Sequence, residues 1–102
     1  MARYKVIVAE RVKVMLGANI KFMAKVSPSA ARNTKSKILA AIRSLSEMPE
    51  RYPFFDEGYI PRGKYRKMFV KSCYLVLYQI KDRDVYADYI VDCRQDFGWL
   101  IR

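Results

Sequence analysis

The sequence predicts an α+β fold in which a helical hairpin packs on a small, largely antiparallel twisted sheet, with the elements in the order β-α-α-β-β-β. Apolar residues recur at helical spacing in two consecutive segments, residues 10–25 and 29–48. After residue 64 the pattern changes to three strand-like runs separated by short turns. The length of 102 residues and the hydrophobic content of 52% suit one domain spanning residues 1–102.

The first strand and the two helices follow from a change of period. Residues 4–8 alternate as a short strand does, and the period lengthens to that of a helix from Glu10 onward. Ser27 and Pro28 then provide an N-cap followed by a proline at the first helical position, which begins the second helix. Pro49 and Pro53 end that helix near Met48. The short joint between the helices predicts an antiparallel hairpin.

Three strands are predicted over residues 65–70, 73–80 and 85–92. The connections at 71–72 and 82–84 are short enough for hairpins. The middle run is apolar throughout and does not alternate, so we expect a central strand buried on both faces.

Charge is large and unevenly distributed along the chain. The formal net charge is +10, and the segment from Arg11 to Ser46 holds eight basic residues and no acidic one. A second basic segment without acids runs from Gly58 to Lys81. Segregated positive charge predicts an anionic partner, either nucleic acid or an acidic protein. A solvated basic surface is the alternative interpretation.

Composition also argues against several classes of protein. No apolar run approaches the length of a membrane span, and no secretory signal is present, so we expect a cytoplasmic protein without a membrane partner. Cys73 and Cys93 are too few for a disulfide framework or a zinc site. We therefore expect no metal and no cofactor.

The order of parts along the chain includes a Tyr65-Arg66-Lys67 strand, a buried strand with Tyr74 and Tyr78-Gln79, and a final strand that ends in Arg94. This order resembles that of the RelE/ParE superfamily, the toxins of type II toxin–antitoxin systems. The resemblance covers nearly the whole chain and depends on layout and a loose pattern. Its most specific element is a Tyr-x-x-x-Tyr-Gln stretch in the buried strand. The matching residues are Tyr65-Arg66-Lys67, Tyr74, Tyr78-Gln79 and Arg94.

The resemblance implies one of two mechanisms. RelE-like members are ribosome-dependent endoribonucleases that cleave mRNA with basic strand residues and a C-terminal tyrosine or histidine. ParE-like members lack these residues and poison DNA gyrase. Both kinds are neutralised by a cognate acidic antitoxin. The expected assembly is either a homodimer or a heterotetramer with the antitoxin.

The RelE-like catalytic pattern transfers only in part. With Tyr74 and Tyr78 as anchors, Arg66 takes the place of a catalytic lysine, whereas Met68 and Leu75 stand where basic residues are expected. Arg94 lies at or next to the position where the family has a further catalytic arginine, and Ile101 stands near the position of its usual C-terminal tyrosine. If the chain is a ribonuclease, the resemblance implies catalytic roles for Arg66, Lys67 and Arg94.

The chemistry of RNA cleavage also argues against a ribonuclease. RNA cleavage through the 2′-hydroxyl needs a base, an acid and cations for the phosphorane charge. The chain has no histidine, the residue that titrates most readily near neutral pH. Strand parity places Arg66, Met68 and Val70 on one face and Tyr65, Lys67 and Phe69 on the other. Under the family alignment the first set would share the functional face with Leu75 and Leu77.

Such a face would be apolar with a charged rim, which is typical of a surface that binds protein. The leading hypothesis is therefore growth arrest through gyrase binding. The alternatives are mRNA cleavage and a non-toxic basic module that binds nucleic acid. The residues expected to contact a partner or target are Arg62, Lys64, Arg66, Met68, Leu75, Arg94, Phe97, Trp99 and Leu100.

Overall fold

The elements of the computed structural model follow the predicted order. The structure describes residues 3–56, 62–70 and 74–92. Two helices, α1 (Glu10–Ala24) and α2 (Pro28–Arg43), are followed by 3₁₀ turns at Ser44–Ser46 and Pro49–Arg51. The strands are β1 (Lys5–Val8), β2 (Arg66–Val70), β3 (Tyr74–Lys81) and β4 (Asp84–Asp92). The predicted α+β class is confirmed.

The four strands form one mixed sheet in the order β1-β4-β3-β2. β1 runs parallel to β4, and the β4–β3 and β3–β2 pairs are antiparallel, as the prediction of a largely antiparallel sheet requires. The turn between β3 and β4 places Asp82 at a φ of 57°, in the left-handed region that aspartate tolerates better than most residues. Because β3 lies between β4 and β2 in the strand order, it is an interior strand of the sheet.

Both helices pack on one face of this sheet. Val12 and Leu16 of α1 and Ile38 and Ile42 of α2 are buried together with side chains from β2, β3 and β4. The side chains of residues 74–78 are all buried, which confirms that β3 is covered on both faces. We call the sheet face that carries the helices the helix face, and the opposite one the outer face. A second buried cluster on the outer face consists of Phe55, Tyr65, Leu75 and Leu77.

Helix α2 begins as predicted and ends earlier. The Ser27 hydroxyl accepts a hydrogen bond from the Ala30 amide at 3.3 Å, which caps the first turn. The predicted end near Met48 is wrong, because α2 ends at Arg43. The Ser44 hydroxyl donates to the carbonyl of Ala41 at 2.6 Å and competes with continued helix geometry.

Arg51 stabilises this early helix end. Its guanidinium group donates to the carbonyl of Met48 at 3.2 Å and to the Ser44 hydroxyl at 2.8 Å. A cation near the last carbonyls of a helix also interacts favourably with the helix dipole. Met48, which precedes the Pro49–Arg51 turn, lies in the left-handed region with a φ of 48°.

Candidate functional site

The basic segment at β2 divides between the two faces of the sheet. The register pairs Arg66 with Tyr78 and Lys67 with Leu77. Since paired residues point to the same face, Arg66 lies on the helix face and Lys67 on the outer face. The strand parity predicted from the sequence is confirmed.

Arg66 has structural partners in the segment that precedes β2. Its guanidinium donates to the backbone carbonyl of Tyr52 at 2.6 Å and to that of Glu50 at 3.0 Å. The same group lies 4.0 Å from the centre of the Phe54 ring, close enough for a cation–π interaction. Arg66 therefore holds residues 50–54 against the edge of the sheet, and this anchors the guanidinium.

Met68 and Leu75 do not form the predicted contact surface, and that prediction is wrong. Met68 is 1% exposed and faces the helices, where it pairs with Val76. Leu75 is also 1% exposed, but it lies on the outer face opposite Phe69. The two side chains point away from each other, because the register offsets them by one residue and thereby changes the face.

The outer face carries a polar network next to its buried cluster. The Asp88 carboxylate accepts hydrogen bonds from the Gln79 amide at 2.7 Å and from the Tyr65 hydroxyl at 3.1 Å. Asp88 reaches this position because β4 bulges there: Leu77 pairs with Tyr89, whereas Tyr78 pairs with Ala87. The network fixes the orientation of the Tyr65 phenol.

Aromatic and cationic groups surround this network. The rings of Tyr65 and Tyr89 meet edge to face with centres 5.9 Å apart. Arg11, from the first turn of α1, lies 4.6 Å from the centre of the Tyr89 ring and donates to its hydroxyl at 2.9 Å. The Lys64 ammonium lies 5.3 Å from the centre of the Tyr65 ring. These contacts give the outer face a cationic margin.

Burial raises the pKa of Tyr65 to about 12, and the negative charge of Asp88 adds to the effect. The phenol therefore keeps its proton at neutral pH and acts as a hydrogen-bond donor. A tyrosine in this state does not supply the base that 2′-hydroxyl activation needs. Burial also raises the pKa of Tyr78 to about 12.

The raised pKa values of Tyr65 and Tyr78 predict that the free energy of unfolding falls at alkaline pH. Their pKa values are raised in the folded chain, so their contribution is fully present below pH 10, where unfolded phenols also hold their protons. It is lost as the pH rises from 10 to about 12. We expect the urea midpoint to fall above pH 10, and to fall less steeply in Tyr65→Phe, which has one such phenol fewer. Equal pH slopes for both proteins would contradict this assignment.

The remaining predicted contact residues fall into two groups. Arg62 and Lys64 are exposed in the turn before β2, so they are accessible to a partner. The predictions on the C-terminal segment lie outside the described residues: Arg94, Phe97, Trp99 and Leu100.

Sequence reasoning missed a groove between the two helices. Its apolar lining comes from Leu16, Ile20 and Leu39 together with Gly17, and its volume is about 410 Å³. Three lysines complete the lining: Lys13, Lys21 and Lys35. The apolar residues of α1 were interpreted only as the helical period of that segment. The presence of Gly17 in mid-helix beside them was the available signal.

Two further properties concern the described part of the chain. Neither helix there has the length and hydropathy of a membrane-spanning segment. No group of three or more acidic, histidine or cysteine residues in residues 3–56, 62–70 and 74–92 is placed to hold a metal ion.

A comparison with solved structures relates this architecture to a known one. A chain of the structure described as "Chromosomal ParDE TA system from P. aeruginosa" superposes with a TM-score of 0.74. The match covers 90% of this chain and 98% of that chain. The chain has a ParE/RelE-type toxin fold.

The sequences have diverged far more than the folds. The identity to that chain is 11%. No protein-family model matches the sequence, and no curated protein does. At this identity the likeness concerns the fold, so the mechanism has to be inferred from the side chains.

Proposed function

We propose that this chain is the toxin of a type II toxin–antitoxin system and that it arrests growth by binding DNA gyrase, as ParE-like toxins do. The toxin assignment is supported by the fold, which it shares with the ParDE toxin–antitoxin structure. The proposal includes a cytoplasmic location and a cognate acidic antitoxin that joins the toxin in a heterotetramer. A homodimer is the other assembly that we consider.

The anchoring of Arg66 is the observation that favours gyrase binding over RNA cleavage. A ribonuclease of this family would use the position of Arg66 for catalysis, but here the guanidinium donates to two backbone carbonyls. The raised pKa of Tyr65 removes the nearby phenol as a base. Of the three residues to which the resemblance assigned catalytic roles, only Lys67 and Arg94 remain as candidates for RNA cleavage.

The proposed target contacts are the cations of the turn before β2 and the C-terminal segment. Arg62 and Lys64 are exposed, and Phe54, which is 42% exposed, lines one pocket together with Lys64. An exposed aromatic side chain beside cations suits a protein target, because interfaces are enriched in aromatic residues and arginine. The C-terminal contacts in this proposal are Arg94, Phe97, Trp99 and Leu100.

Induced expression of the chain alone tests the mechanism. We expect growth to stop within minutes, with gyrase-linked DNA breaks and intact transcripts. Early cleavage of transcripts within translated frames, lost in Lys67→Ala, would instead make the chain a ribosome-dependent ribonuclease. Normal growth combined with salt-dependent nucleic-acid binding would support the non-toxic binding module.

A charge-matched pair of variants locates the contact surface. We expect the double substitution R62A/K64A to weaken growth arrest strongly. The control K25A/K37A removes the same charge from exposed positions outside the turn and should leave arrest intact. Equal weakening by both variants would attribute the effect to net charge alone.

A further inference from the structure

The solvent side of α1 carries a row of exposed apolar side chains that the core does not use. Val14, Ala18 and Phe22 lie about one helical turn apart, and Val26 continues the row just beyond the end of the helix. Val26 is 84% exposed and Phe22 is 72% exposed, the two highest values for large apolar residues in the described part of the chain. Val14 is 62% exposed. We call these four residues the apolar row.

A row of cations runs beside the apolar row on the same helix. Lys13, Lys21 and Lys25 each precede a member of the apolar row by one position, and all three are exposed. Gly17 occupies the remaining position of this series. The segment from Arg11 to Ser46 contains no acidic residue. The helix therefore presents an apolar stripe and a cationic stripe side by side.

The combination of the two rows indicates the kind of surface that α1 fits. Nucleic acid would use the lysines but not the apolar side chains. A second copy of the chain would place its lysines near identical lysines, and like charges in an interface are costly. The apolar row stands on the convex side of one helix, so a protein partner would have to supply the whole pocket for Phe22 and Val26.

A lipid surface needs no such pocket. The boundary between headgroups and acyl chains accepts apolar side chains from a helix that lies flat on the bilayer, and anionic headgroups attract lysines beside them. The apolar row is about 18 Å long from Val14 to Val26. An apolar row of this size is too small for permanent anchoring, so binding would be reversible and would need the cations as well.

We propose that α1 binds the surface of an anionic membrane as an interfacial helix, with Phe22 and Val26 at the acyl boundary and the lysines at the lipid phosphates. The expectation of no membrane partner concerned segments that span a bilayer, whereas this contact touches one surface without crossing it. The proposal goes beyond gyrase binding and does not depend on it.

Flotation of the purified chain with lipid vesicles tests the proposal. Anionic vesicles contain phosphatidylglycerol in phosphatidylcholine, and neutral vesicles contain phosphatidylcholine alone. We expect partition into the anionic vesicles to be at least about tenfold stronger than into the neutral ones. Absence of binding to anionic vesicles would overturn the proposal and leave the apolar row to a protein partner.

Uncharged substitutions separate insertion of the apolar row from the general attraction of a basic protein to an anionic surface. F22S/V26S keeps the net charge of +10 and should weaken partition into anionic vesicles at least about tenfold. The control M48S/F69S removes two other exposed apolar side chains, which are 71% and 57% exposed, and should change partition less than about twofold. All four side chains are exposed, so both variants should fold, which circular dichroism checks. Equal effects of the two pairs, or no effect of the first, would overturn the proposal.

Charge reversal tests the cationic row. K21E/K25E should weaken partition into anionic vesicles at least about tenfold. K5E/K81E makes the same change in net charge at exposed positions outside α1 and should weaken partition less than about threefold. Equal losses in the two variants would attribute binding to net charge alone and overturn the assignment of the contact to α1.

A second copy as the occupant, and failure of the proposed function, give different results. Analytical ultracentrifugation without vesicles would reveal a dimer, and a dimer that is lost in F22S/V26S would overturn the membrane contact. Vesicle binding does not depend on toxicity, and F22S/V26S should still arrest growth. Growth arrest without vesicle binding would overturn the membrane contact and leave the toxin proposal standing. Vesicle binding without growth arrest would do the opposite.

Discussion

Replacing Met68 by alanine is expected to lower the free energy of unfolding by about 2–5 kcal/mol, the usual range for removing a fully buried methionine side chain. Met68 is 1% exposed and packs on the helix face, where its loss leaves a cavity beneath α1 and α2. A domain of this size has a total stability of about 5–15 kcal/mol, so the change is a large fraction of it. Urea unfolding followed by circular dichroism measures the difference.

Phe69 is the matched control, because it is the next residue on the same strand and points to the other face. It is 57% exposed, and Phe69→Ala should change stability by less than about 1 kcal/mol. If Phe69→Ala were the more damaging substitution, β2 would have the opposite orientation in solution. The comparison therefore tests the orientation of the strand from which the site was built.

The same pair of residues shows how far the sequence determines this fold. Hydrophobic periodicity was sufficient for the element order, since the helical period of α1 and the apolar run of β3 need no information from neighbouring strands. Alternation also placed Arg66 and Lys67 on different faces. These properties are local, and each can be read within one element.

Assigning a face to a function needed the register between strands, which is not local. The resemblance suggested that Met68 and Leu75 share a face, whereas the structure pairs Met68 with Val76. A shift of one residue is sufficient to exchange the two faces of a strand. The bulge that brings Asp88 to Tyr65 was equally invisible, because nothing in the residue types of β4 marks where the ladder slips.

The structural role of Arg66 shows a different limit. Its partners are backbone carbonyls of Glu50 and Tyr52, in an irregular segment whose path no periodicity predicts. A basic residue at a familiar position was therefore assigned to catalysis by resemblance. Its charge is instead used to hold the chain together, and Arg66→Ala is a poor test of function, since it should also lower stability.

Tyr78 is expected to be the most sensitive position in the sheet, with Tyr78→Ala destabilising the chain by about 3–5 kcal/mol, as for other large aromatic residues in a core. Tyr78 is fully buried in the centre of the sheet, and its ring meets that of Tyr52 edge to face at 6.4 Å. Its hydroxyl donates to the carbonyl of Pro49 at 2.6 Å. The side chain thus joins β3 to the 3₁₀ turn after α2.

Tyr78→Phe separates the hydrogen bond from the packing. The ring is kept and the Pro49 carbonyl loses its donor inside the protein, so we expect a loss of about 1–3 kcal/mol. Tyr86→Phe is the control, because the Tyr86 hydroxyl lies 3.4 Å from the Asp84 carboxylate in a half-buried site, where water can replace it. Urea midpoints of the three variants should therefore fall in the order Tyr86→Phe, Tyr78→Phe, Tyr78→Ala, with the last the least stable.

Equal midpoints for Tyr78→Phe and the wild type would mean that the Tyr-x-x-x-Tyr-Gln stretch contributes through its rings alone. A clear loss would mean that its second tyrosine is retained for the polar bond between sheet and turn, a structural reason for the pattern that requires no catalytic role.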